Sequence, residues 1–184
     1  PGALGRIAAF GPGALVLCTL GMVVLCLLKT PLRLIGTLLV VAAVVMMVRA
    51  PQPDILIAAD AATFAVRGPD GRLTMSKPEA DTFAIREWLA ADADPRSPND
   101  AILGEAIRCD AAGCVGRLRD GTAVALARTI EAFAEDCRRA AIVLSARDAP
   151  ADCGALVVDR QVWRRTGALA IRRVGERFEL MPSR

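Results

Sequence analysis

The sequence predicts two transmembrane helices followed by a strand-rich α/β (α+β) domain with two or three helices. The first 50 of the 184 residues contain no acidic residue and only four basic residues, and most of them are apolar. The other 19 basic residues and all 20 acidic residues follow position 50, where short apolar runs alternate with turn signals. We therefore divide the chain into a membrane region, 1–50, and a soluble domain, 51–184, which is long enough for a core of its own.

Two long apolar runs predict the membrane helices, at about 7–28 and 32–49. The first run has 22 residues without a charge, or about 33 Å of helix at ~1.5 Å per residue, close to the hydrocarbon thickness of a bilayer. The second run, 34–48, has 15 residues between two arginines that can snorkel, and the preceding Pro-Leu can extend it. Neither run has the polar face of a soluble helix, so a pair of buried core helices is the less favoured alternative.

The charges that flank the two runs give an expectation of orientation. Lys29 and Arg33 lie in the link between the runs, which favours a cytoplasmic link and places the domain outside the cytoplasm. Arg6 and Arg49 favour the reverse, so charge alone does not decide the orientation. The chain begins at Pro1 without a signal-peptide pattern, and we interpret it as the C-terminal part of a longer polypeptide.

The soluble domain predicts strands in hairpins, together with amphipathic helices. Runs 63–67 and 72–76 flank the turn signal Gly-Pro-Asp-Gly and predict a hairpin after a buried strand at 54–58. Apolar residues at i, i+3 and i+4 predict one helix from about 82, and a second is predicted from Thr129 to about 139. A short helical turn is expected around Val162 and Trp163. Further strands are predicted at 105–109, 114–118, 122–127, 141–145, 155–159, 168–172 and 177–181.

Four of the six cysteines lie in the soluble domain, and their spacing predicts two disulfides. Cys109 and Cys114 bracket a four-residue turn and can face each other across a hairpin. Cys137 and Cys153 each precede a predicted strand, so they lie at one sheet edge if those strands are parallel neighbours. Two disulfides need an oxidising compartment such as the periplasm. The alternatives are a zinc site made of all four thiolates and four unpaired thiols in a cytosolic domain.

Six segments after the apolar runs carry a family resemblance. They read PQPDILIAAD, FAVRGPDGRL, DTFAIREWLAADAD, RCDAAGCVGRL, AEDCRRAAIVLSA and CGALVVDR. In this order, nearly the whole chain resembles the C-terminal end of the ComEC family of bacterial competence channels, in its alphaproteobacterial form. The resemblance implies an inner-membrane protein that passes single-stranded DNA into the cytoplasm during natural transformation. It also implies a tail similar to a metallo-β-lactamase domain, which in many family members is suggested to degrade the strand that is not imported.

The chain departs from that family pattern at the metal site. A metallo-β-lactamase-like hydrolase holds its metal with histidines and aspartate, and this chain has no histidine. Asp60 and Asp159 are the carboxylates placed most like ligands, although a turn residue and a strand-end cap are their more ordinary roles. We therefore predict a degenerate metallo-β-lactamase-like domain with no catalytic residue, no metal and no cofactor.

The last segment of the chain, 160–184, is basic and is the candidate DNA contact. It carries seven arginines against Glu176 and Glu179, and arginine can bind phosphates in a salt-dependent way. The aromatic residues available for base stacking are few, namely Trp163 and Phe178, and an ordinary charged surface is the alternative interpretation. The candidate contacts are Arg160, Arg164, Arg165, Arg172, Arg173 and Arg177.

These expectations combine into one functional prediction. The chain is the C-terminal segment of an inner-membrane DNA-translocation channel for natural transformation, with a catalytically silent periplasmic domain. Its expected partners are membrane lipid, the remainder of the channel polypeptide and single-stranded DNA. The alternative is a membrane-tethered hydrolase or nuclease that uses carboxylates only or is completed by upstream chain. A third hypothesis is a two-helix anchor that carries a binding module.

Overall fold

The protein forms two compact units in a computed structural model that describes residues 12–28, 31, 33–50, 52–76 and 82–182. The helical unit contains the described residues up to Gln52 together with Trp88–Pro95. The two-sheet unit contains Pro53–Glu87 and the described residues from Arg96 onward. The described part of the chain has five α-helices and two five-stranded sheets, so its architecture is α+β.

The helical unit is built on an antiparallel hairpin of α1 (Pro12–Leu27) and α2 (Arg33–Val48). The helices approach closely where Gly21 faces Gly36, because a Cβ atom added at Gly36 would lie 2.8 Å from the carbonyl oxygen of Gly21. Glycine thus lets the two backbones touch, as in other small-residue helix contacts. The buried residues of the two helices are all small, namely Ala14, Gly21, Gly36 and Ala43.

The prediction of two transmembrane helices is wrong. Each helix has 16 residues, or about 24 Å at ~1.5 Å per residue, which is less than the ~30 Å of a bilayer core. Within the described ranges, no helix combines the length and the apolar character needed to cross a membrane. Within the described residues, α1 starts at Pro12, a residue suited to the first helical position. Residues 7–11 of the first predicted helix lie outside the described residues.

The first sheet, sheet A, is antiparallel throughout and has the strand order β10-β9-β1-β2-β3. Its strands are β1 (Ile55–Ile57), β2 (Phe64–Arg67), β3 (Leu73–Met75), β9 (Leu169–Val174) and β10 (Arg177–Pro182). The turn between β2 and β3 closes at Gly71, whose φ of 75° favours glycine. The pairing of β1 with β9 brings the start and the end of the two-sheet unit together.

The second sheet, sheet B, is mixed and has the strand order β4-β5-β6-β7-β8. Its strands are β4 (Arg108–Cys109), β5 (Gly113–Arg117), β6 (Ala123–Ala127), β7 (Ile142–Leu144) and β8 (Leu156–Val158). The strands from β4 to β6 are antiparallel, whereas β6, β7 and β8 are parallel neighbours. Parallel neighbours need a crossover, and α4 (Ile130–Arg139) supplies it between β6 and β7.

Two apolar layers hold the two-sheet unit together. Side chains of sheet A, such as Phe64 and Ile171, pack with side chains of sheet B, such as Leu126 and Leu144, and all four are buried. A smaller cluster around Phe133 seals α4 onto Val143. Burial of a phenylalanine of this kind stabilises a fold by roughly 3 kcal/mol.

The remaining described elements are short. They are α3 (Thr82–Ala91), a 3₁₀ turn (Ala101–Gly104) and α5 (Arg160–Thr166). The strand predicted at 105–109 is reduced to the two residues of β4, and a 3₁₀ turn with a buried Leu103 precedes it. The helical turn predicted around Trp163 is α5, and the indole of Trp163 donates a hydrogen bond to the carbonyl oxygen of Ser145 at 2.9 Å.

Candidate functional site

The first disulfide joins Cys109 to Cys114 across the β4–β5 hairpin. The two residues are directly opposite in the strand register, and their Cα atoms are 4.0 Å apart. The Asp110 amide donates to the Gly113 carbonyl at 2.8 Å, so the cysteine pair occupies the adjacent non-hydrogen-bonded position. Side chains in such pairs lie closest together, which is why the turn spacing leads to this bond.

The second disulfide joins Cys137, in the last turn of α4, to Cys153, just before β8. Its Cα atoms are 5.0 Å apart. The parallel pairing of β7 with β8 brings the two segments to one sheet edge, as the sequence reasoning required. Because these four sulfurs are paired, they do not form the alternative zinc site of four thiolates. Both bonds join the pairs that the sequence predicts.

The six candidate arginines are distributed over three elements. Arg160, Arg164 and Arg165 lie on α5, and the other three lie on β9 and β10. Arg160 forms an ion pair with Asp148. The side chains of Arg164 and Arg165 are exposed.

On sheet A, Arg172 and Arg173 are consecutive in β9 and therefore point to opposite faces. Arg173 serves the fold: it pairs with Asp120, and its guanidinium also donates to the Thr122 hydroxyl at 2.6 Å. Arg177 is exposed at the start of β10. The six side chains thus do not form one continuous stripe, and we retain Arg164, Arg165 and Arg177 as the exposed candidates.

The two carboxylates considered as metal ligands have structural roles. Asp60 accepts hydrogen bonds from the amides of Ala62 and Thr63 at 2.9 and 2.8 Å and from the Thr63 hydroxyl, which closes its own turn. Asp159 caps α5 by accepting from the amides of Gln161 and Val162. Both carboxylates are therefore engaged by neighbouring backbone. Among the described residues, no group of three or more Cys, Asp or Glu side chains is placed to hold a metal ion.

An acidic cleft of about 470 Å³ lies between the β4–β5 hairpin and α4. Burial raises the pKa of Asp136, and the nearby carboxylates of Glu135 and Asp110 raise it further. At the other end of the cleft, a backbone hydrogen bond and the Thr129 hydroxyl hold the pKa of Glu131 below its usual value, with a smaller contribution from the charge of Arg147. The negative charges of this cleft repel a nucleic-acid backbone.

No family model, no curated protein and no solved structure matches the chain. The fold and the residues described above are therefore the basis for any functional conclusion.

The structure also brings together residues that the sequence reasoning missed. Arg128 directly follows β6, and Arg147 follows the end of β7 by two residues. Both line a cavity of about 230 Å³. The sequence could have indicated this pair, because residues that follow parallel strands collect at one edge of a sheet. The chain contains so many arginines that these two did not stand out.

Proposed function

We propose that this chain is the C-terminal part of an inner-membrane DNA-import channel of the ComEC kind. In this proposal the two-sheet unit is extracytoplasmic, and it guides DNA or supports the pore without cleaving DNA. The sequence resemblance supplies the family. The observation that carries the proposal is the pair of disulfides in one small domain.

The disulfides support an oxidising location. Reducing systems keep cytosolic thiols unpaired, whereas disulfides form and persist in the periplasm and outside the cell. Both bonds link secondary-structure elements of the same unit: one ties a hairpin, and the other ties α4 to the strand β8.

The helical hairpin supports assembly with a larger apolar partner. Large apolar side chains cover its surface, and Leu27 and Val48 are 73% and 80% exposed. An apolar surface of this extent is costly in water and marks a contact with another protein or with lipid. In the proposal, lipid and the remainder of the channel polypeptide cover it.

The side-chain chemistry supports binding over catalysis. The chain has no histidine for a metal site or a proton relay. The carboxylates of Asp60 and Asp159 are occupied by backbone amides. The exposed arginines Arg164, Arg165 and Arg177 are suited to contact phosphates. Such contacts weaken at higher salt, because the release of condensed counterions then gains less entropy.

The proposal is tested by DNA binding and by cleavage on the purified full chain in detergent micelles. We expect single-stranded DNA to bind with an affinity that falls steeply with salt, and to remain intact with Mg²⁺ or Mn²⁺ present. The double variant Arg164→Gln/Arg165→Gln should weaken binding and reduce the salt dependence. The control Arg138→Gln/Arg139→Gln removes the same charge from α4 and should change binding less.

Two results would contradict the proposal in different ways. Metal-dependent hydrolysis that co-purifies with the chain would favour the alternative, a hydrolase that uses carboxylates only. Absence of any salt-sensitive binding would remove the role in guiding DNA. In the host cell, deletion of residues 53–184 should lower the frequency of natural transformation.

A further inference from the structure

A second basic site lies at the carboxyl edge of the parallel strands and is formed by residues other than the candidate arginines of α5 and β10. The cavity has a volume of about 230 Å³, and its apolar part includes Leu126 and Ala127 at the end of β6. Ala61 and Ala62, from the connection between β1 and β2, form another part of the lining. Ligands in sheets with parallel strands characteristically bind at this edge.

The cavity is positively charged. Arg128 and Arg147 both line it, and neither forms an ion pair with a residue that the structure describes. By contrast, Arg160 and Arg173 are each paired with an aspartate. Two like charges on one small cavity repel each other, and a bound anion removes that repulsion.

Hydrogen bonds around the buried Ser145 hold Arg147 and the backbone of Arg128 beside the cavity. The hydroxyl of Ser145, which is fully buried, donates to the carbonyl of Ala127 at 2.9 Å and accepts from the amide of Arg147 at 3.1 Å. The Arg147 Nε atom donates to the carbonyl of Arg128 at 2.9 Å. The Arg160 amide donates to the Arg147 carbonyl at 3.2 Å. Arg147 is thus held at its amide, its carbonyl and its side chain.

The opposite side of the cavity is equally constrained. Ala61 has a φ of 54°, which is unusual for a residue with a side chain. The Asp60 turn holds it there, because the Asp60 carboxylate accepts hydrogen bonds from Ala62 and Thr63. The same bonds occupy this carboxylate within its own turn. A lining whose backbone is fixed in advance in this way loses less conformational entropy when a ligand binds.

We propose that this cavity binds a phosphate group. Two guanidinium groups match the several oxygens of a phosphate, because arginine presents planar pairs of donors. The Arg147 Nε atom donates to the Arg128 carbonyl. The two terminal nitrogens of the Arg147 guanidinium can therefore donate to other acceptors. The cavity is open on one side, so it admits a phosphate that is attached to a larger molecule as well as the free ion. This site does not depend on the proposed role in DNA import.

The test is a titration of the full chain, labelled with ¹⁵N, in detergent micelles at constant ionic strength. The probes are inorganic phosphate and a single-stranded oligonucleotide with and without a terminal phosphate, and chloride is the reference salt. We expect phosphate to shift the amide signals of Ala62, Ala127, Arg128 and Arg147. Arg147→Gln should weaken the affinity by about tenfold, the usual effect of losing a charge-assisted hydrogen bond. Arg128→Gln should also weaken it.

The control variant Arg138→Gln removes one exposed charge from α4, so it should leave the affinity unchanged. An effect of Arg138→Gln equal to that of Arg147→Gln would show a general charge effect and overturn the proposal, as would the absence of pocket shifts with every probe. The probes that bind identify the source of the phosphate group: the free ion, a terminal phosphate only, or the backbone of both oligonucleotides. Each of these results supports a phosphate site in the cavity. Unchanged melting temperatures of the variants will show that they are folded.

Discussion

The two disulfides should stabilise the two-sheet unit by different amounts, and the difference follows from their spacing. Cross-linking removes loop-closure entropy from the unfolded chain, so the longer loop gains more. The Cys109–Cys114 bond has a sequence separation of 5, and the Cys137–Cys153 bond has a separation of 16. The chain-entropy relation gives about 2 kcal/mol for the short loop and about 3 kcal/mol for the long one at 25 °C.

The measurement compares oxidised and reduced protein in two variants that each keep one bond. Cys109→Ala/Cys114→Ala retains the long loop, and Cys137→Ala/Cys153→Ala retains the short one. Because the sulfur atoms remain in place, reduction reports the cross-link and not the loss of packing. Urea unfolding is followed by the fluorescence of Trp163, which is buried, in a background where Trp88→Phe removes the other tryptophan.

Reduction should cost about 1 kcal/mol more in the variant that keeps the long loop. An equal or reversed order would refute the explanation by unfolded-chain entropy. No change on reduction in either variant would show that neither bond forms in the folded protein.

Three further substitutions test the packing and the electrostatics. Gly36→Leu should separate α1 from α2 and lower the melting temperature of the helical circular dichroism signal, whereas Gly13→Leu, where an added Cβ meets nothing within 4 Å, should not. Gly113→Ala should lower the free energy of unfolding in urea by about 1–3 kcal/mol, since the added Cβ would collide with the neighbouring strand. The control is Gly154→Ala, where an added Cβ has ordinary contact distances. Equal losses in the two variants would contradict the collision. Asp136→Asn should raise the free energy of unfolding at neutral pH, because burial and two nearby carboxylates raise the pKa of Asp136 in the folded state. In the unsubstituted protein, ionisation of Asp136 lowers the free energy of unfolding as the pH rises above 3.8. The gain from Asp136→Asn should therefore vanish below pH 3.8. A gain that is independent of pH would contradict this explanation.

Local patterns in the sequence were sufficient to place most elements of the two-sheet unit. The turn between β2 and β3, the helix α4 with its cap at Thr129 and the parallel runs of β7 and β8 each have a short-range signal. Thr129, for example, accepts a hydrogen bond from the amide of Ala132, which is the usual role of a helix cap. Hydrophobic spacing and turn chemistry act over a few residues, so they can be read without the fold.

Features that depend on distant residues could not be predicted in this way. The pairing of Ile55 with Ile171 joins segments from opposite ends of the unit, and no local pattern encodes that choice of partner. The prediction of membrane spans rested on apolar composition, which does not by itself fix the length of a helix, and α1 and α2 have 16 residues each. The arginines of 160–184 form one run in the sequence, yet strand alternation and two ion pairs distribute them over different surfaces.

The phosphate cavity illustrates the same limit. Arg128 and Arg147 are far apart in the chain, and only the parallel pairing of β6 with β7 brings them to one edge. Ser145, which supports both, is an ordinary residue at the end of an apolar run until the fold places its hydroxyl beside Ala127.

The proposed function depends most on the proposed location of the two-sheet unit in an oxidising compartment. The direct measurement is thiol trapping in the host cell: the cells are quenched with acid, alkylated with a maleimide-polymer reagent and analysed by the mass shift of the full-length chain. Of the six cysteines described here, we expect two to react with the reagent before reduction, namely Cys18 and Cys26. All six should react after reduction. Six reactive thiols before reduction would mean that the disulfides are absent in the cell, and the proposed extracytoplasmic role would be wrong.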